Sequence, residues 1–110
     1  MEIKAKSNGI SNRDLFKLTE GKNNTNVRDA VGLQIKVSKW VIYEDDNFRG
    51  EPIEVLSIMG EDGAIYTTVS DVFKRSFDRI LTAFPDEEVE IIILEGQTKA
   101  GRNYYDCTIV

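Results

Sequence analysis

Residues 43–50, Tyr43-Glu44-Asp45-Asp46-Asn47-Phe48-Arg49-Gly50, place two aromatics and a glycine at fixed offsets between two strand-like runs. The run before them, Lys39-Trp40-Val41-Ile42-Tyr43, and the run after them, Glu51-Pro52-Ile53-Glu54-Val55-Leu56, are rich in β-branched and aromatic side chains. The stretch therefore reads as a hairpin whose ring residues pack on the bend, with Gly50 supplying the backbone freedom that the turn needs.

Working outward, Leu33, Ile35 and Val37 alternate with Gln34, Lys36 and Ser38, the period of a strand with one buried face. It runs almost directly into Trp40, so one long bent strand and two consecutive strands both fit. Residues 89–94 and 104–110 read as antiparallel partners, and residues 96–101 read as the hairpin loop between them, with glycine where φ must be positive. That loop lacks the Gly-Lys-Ser/Thr ending of a phosphate loop. Other turn signals fall at Asn8-Gly9, residues 21–26, residues 60–63 and Pro85-Asp86.

One segment speaks against strands throughout. Val69, Val72, Phe73, Phe77, Ile80, Leu81 and Phe84 recur at helical spacing, Ser70 is placed to cap the start and Pro85 to end the run. A helix over 69–84 and a helical turn followed by a strand over 79–84 are both open.

Composition bounds the class. The chain has 110 residues, of which 41% are hydrophobic and 30% charged, enough apolar surface for one folded domain. Its net charge of -5 repels phosphate and anionic membrane surfaces, so nucleic acid and membrane are not the expected partners. Cys107 is the single cysteine, so packing rather than a disulfide holds the fold, and it reads as a small buried apolar group. No secretory leader and no membrane-length apolar run is visible, which makes cytoplasmic the expected location. Histidine is absent, and with it the usual general base, so the chain reads as non-enzymatic. The acidic pairs Asp45-Asp46 and Glu61-Asp62 and the run Asp86-Glu87-Glu88 read as solvated turn charge.

The stretch from Trp40 to Glu51 resembles the opening hairpin of a βγ-crystallin Greek-key motif, in which an aromatic, four residues, a second aromatic, any residue and a glycine follow in order. Residues 76–82 resemble the later part of the same motif. A complete key over 39–84, a degenerate key over 1–38 and a C-terminal hairpin over 85–110 then make one domain of 1–110. A gapless shift of 38 positions, which lays residues 43–56 on residues 5–18, supports the repeat.

The resemblance implies an all-β, βγ-crystallin-like sandwich of two Greek-key motifs, and calcium sites built from oxygen ligands. Glu44, Asp78 and Asp29 are the matching carboxylates. Phe77, Leu81, Arg28 and Gly32 occupy other ligand places, so the implied calcium binding is absent or about millimolar. It also implies a structural or stress-protective role, with a protein-interaction or protease-inhibitor role as the alternative. The leftover C-terminal strand edge would then serve a homo-oligomer or a protein partner.

Overall fold

A computed structural model of the chain describes residues 1–110. The elements run β1 (Glu2–Lys6), α1 (Asn12–Glu20), β2 (Thr25–Asn26), a 3-10 turn (Val27–Asp29), β3 (Gln34–Asp46), β4 (Pro52–Gly60), β5 (Ile65–Thr68), α2 (Asp71–Ala83), β6 (Glu90–Gln97) and β7 (Asn103–Ile109). The fold is predominantly β, one curled sheet in the order β2-β5-β4-β3-β6-β7 with β1 added on β3. The sheet is mixed because β2 runs parallel to β5.

The strand-like runs on either side of Trp40 form one long strand, β3. Its start pairs with β6, Gln34 opposite Ile92 and Lys36 opposite Glu90, and the remainder pairs with β4 out to Asp46 opposite Pro52. The register shifts between Val37 and Lys39, where an irregularity in the ladder bends the strand. The two expected hairpins are both present: β3 with β4, and β6 with β7, the latter in register from Ile91 opposite Ile109 to Gln97 opposite Asn103.

Residues 71–83 are helical, which decides between the two alternatives for 69–84 in favour of the helix. Ser70 caps α2, its Oγ accepting from the Phe73 N–H at 3.3 Å, and the helix stops at Phe84, just before Pro85. Phe73 and Phe77 are one turn apart on the buried face, so a helix buries both rings on one side. The repeat expected over 5–18 is also corrected. Those residues pass from β1 into α1, because Ser11 Oγ accepts from the Asp14 N–H and starts a helix whose Leu15 and Leu18 pack inward.

Two apolar clusters lie on opposite faces of the central strands. Ile35, Leu56, Ile58, Ile91, Ile93 and Cys107 meet Phe73 and Phe77 of α2 inside the curl. Val41, Tyr43, Val55, Met59 and Ile65 face outward and are covered by Leu18 of α1. Since side chains alternate along a strand, β3 and β4 are buried on both faces. The curl closes where Ser70 Oγ donates to the Tyr105 carbonyl at 3.1 Å, carrying β7 round to the end of β5. Asp14 pins α1 through Lys39 Nζ at 2.5 Å, and that hydrogen bond holds the carboxyl below its ordinary range. The tether therefore acts above the ordinary carboxylate pKa and is lost as pH falls through the lowered one.

Ser57 is fully buried and its hydroxyl has no hydrogen-bond partner. An orphaned buried hydroxyl costs about 1–3 kcal/mol. Ser57→Ala is expected to stabilise the protein by about 1 kcal/mol, a rise in Tm of roughly 4–8 °C for a domain of this size. Thermal melts of the two proteins check this, and an unchanged or lower Tm contradicts it.

Candidate functional site

The tip of the β3–β4 hairpin is a hydrogen-bonded turn that presents an aromatic to solvent. The Asn47 N–H donates to the Glu51 carbonyl at 2.8 Å, and Asn47 Oδ1 accepts from the N–H groups of Arg49 and Glu51 at 2.8 and 3.0 Å. Gly50 closes the turn at φ +75°, a conformation that glycine reaches without steric cost. Phe48, expected to pack on the bend, is instead 91% exposed, with the Arg49 guanidinium 5.3 Å from its ring centre. A five-residue loop reaches beyond the last ladder pair, so its side chains find no strand face to cover. Of the other two aromatics in this region, Tyr43 is buried, and Trp40 is half-buried with an edge-on contact to Phe77 at 6.0 Å.

A second tip carries the same kinds of group. The β6–β7 loop closes with the Thr98 N–H donating to the Arg102 carbonyl and the Gly101 N–H to Thr98, with Gly101 at φ +81°. Lys99 and Arg102 stand exposed on it. Next to them the Tyr104 ring lies across Gly96, where any Cβ would collide with it, and the residue stays 37% exposed. Glycine at 96 thus lets an aromatic ring lie flat on the sheet surface.

Acidic side chains gather elsewhere. Glu61, Asp62 and Glu90 line one cleft with Lys36, and Glu88 joins Glu61 and Glu90 in the lining of the cleft beside it. The β4–β5 turn lies at the opposite end of β4 from Phe48, and Glu90 at the opposite end of β6 from Lys99. Asp45, Asp46 and Glu51 still flank the first tip, so Lys99 and Arg102 form the cleaner cationic surface.

The three carboxylates singled out for calcium lie on separate elements. Glu44 is on β3 beside Lys4 Nζ at 3.7 Å, Asp78 is exposed on α2, and Asp29 is exposed in the 3-10 turn beside Arg28. No group of three or more Asp, Glu, Cys or His residues converges to hold a metal ion. Lys99, Arg102 and Tyr104 fall in segments that read from the sequence only as loop and strand. The readable signal was the pair of cations flanking Gly101, next to two tyrosines.

Cys107 lies in the inner core, its thiol 3.9 Å from the Phe73 carbonyl. Burial, with the Asp106 charge adding to it, pushes the thiol up to about 12. At pH 8 only about one thiol in ten thousand is then ionised. Iodoacetamide is expected to leave the native protein unlabelled at that pH and to label it quickly in denaturant, as mass spectrometry would show. Rapid labelling of the folded protein would contradict the buried placement.

No family model, curated protein or solved structure matches the chain. No helix is long and apolar enough to cross a membrane.

Proposed function

We propose that the protein is a non-enzymatic binding module for single-stranded nucleic acid. The observation that carries this is the pair of ordered hairpin tips, Phe48 with Arg49 and Tyr104 with Lys99 and Arg102, each offering a ring to stack on and a cation for phosphate.

Fold analogy adds to it. Leaving β1 and β2 aside, β3 to β7 are five strands in the order third, second, first, fourth, fifth, with α2 between the third and fourth. That is the strand order of the OB-type Greek-key barrel, whose first hairpin loop and last hairpin loop flank an oligonucleotide or oligosaccharide surface. The analogy concerns architecture; the residues at the tips supply the argument for the ligand. The Greek-key character expected from the hairpin finds its support in this barrel order rather than in a pair of crystallin motifs.

The net charge of -5 works against long-range attraction of a polyanion. Binding therefore rests on stacking and on a few local cations. Three cations at the tips neutralise at most about three phosphates, a slope of roughly -2 in log affinity against log salt for a single strand.

The β7 edge supports a second reading as a protein-interaction domain. It stands at the end of the strand order and leaves Ile109 and Val110 exposed, the place at which a further strand would add. The structural, stress-protective reading draws its support from the β3–β4 hairpin alone, since its calcium ligands are apart.

Fluorescence anisotropy with a labelled oligothymidylate tests the first reading. Phe48→Ala and Tyr104→Ala are each expected to weaken binding by about 1–3 kcal/mol, roughly five- to 150-fold. Duplex DNA of the same length is expected to bind more weakly. Absence of single-strand binding at low salt, or affinity indifferent to both substitutions, would sink the proposal.

A further inference from the structure

A cleft of about 440 Å³ opens between the C-terminal end of α2 and the bend of β3, far along β3 from the Phe48 tip. The apolar part of its floor is made by Trp40, Leu81 and Phe84 together with Val37 and Val89, and Ser7, Asn8 and Ser38 line it as well. Phe84 is 38% exposed and Trp40 half-buried, so aromatic surface is open to an occupant. The rim carries Asp86, Glu87 and Glu88, with Lys6 as the one cation. A cleft of this size that sets aromatic surface beside charged groups can seat a small amphipathic molecule.

Charge decides which molecule. The last turn of α2 holds no basic residue, so the negative end of its dipole is uncompensated from within the helix. Pro85 has no N–H, which leaves the Leu81 carbonyl without the donor that would continue the helix. Asp86 then takes φ +57°, a left-handed turn that aspartate tolerates, and the chain comes back to β3, where the Val37 N–H meets the Val89 carbonyl at 2.9 Å. The helix end and three carboxylates thus add on one side of the cleft, and Lys6 offsets only one of those charges.

We propose that this cleft is a binding site for an aliphatic primary ammonium, its hydrocarbon chain on Trp40 and Leu81 and its charged end among Asp86, Glu87 and Glu88. An ammonium near Trp40 or Phe84 also gains from the ring faces. An anion would meet repulsion at the rim, and a neutral chain would gain only the floor.

Trp40 is the single tryptophan of the chain, so its emission reports this cleft without interference. Titration of the protein with n-hexylammonium is expected to change that emission saturably, and 1-hexanol to bind about tenfold more weakly or not at all. The triple variant D86N/E87Q/E88Q, confined to exposed loop positions, is expected to keep its Tm and to lose about tenfold in hexylammonium affinity. High salt should weaken the wild type more than the variant. Absence of a saturable change, equal binding of hexanol, or an unaltered affinity in the triple variant would each overturn the assignment.

Discussion

The structure depends on one strand having to serve three ladders. β3 gives its first residues to β6 and the rest to β4, with β1 lying on its other side from Val41 to Glu44. A straight strand of thirteen residues could not offer these partners to one curled sheet, and the register shift between Val37 and Lys39 turns it. Ile35 then points into the inner core with Ile91 and Ile93, while Val41 and Tyr43 face α1. Without that bend the β6–β7 hairpin would have no place beside β3 from which to reach Ser70.

Because β3 and β4 are buried on both faces, each helix has a defined task. α2 fills the inside of the curl with Phe73 and Phe77, and α1 covers the outer face with Leu18. The hairpin tips are left outside both cores and are held by their own turn hydrogen bonds. The same layout spreads charge unevenly, with acids crowded round Lys36 and at the end of α2, and exposed cations at the β6–β7 tip.

Much of the local architecture was legible. The turn at Gly50, the pairing of the last two strands and the cap at Ser70 all depend on residues close in sequence, where backbone preference and side-chain period act directly. α1 was less legible: its short apolar pattern could be laid on a strand, and Ser11 as a cap carries the decision. The implied calcium ligands belong to a motif that the β3–β4 hairpin resembles, and residues 76–82, which resemble a later part of it, are helix. Asp78 sits exposed on α2, on a different element from Glu44 and Asp29.

The sequence by itself determined where the chain turns and caps, and which segments have an apolar face to bury, because those properties are local. Only the tertiary structure decided which faces meet, and so which aromatics remain outside. Tyr43 and Phe48 look alike in the hairpin pattern, yet one is buried under α1 and the other stands in water. The difference arises because burial needs a partner surface: Leu18, far away in the chain, supplies one to Tyr43, and no segment covers Phe48.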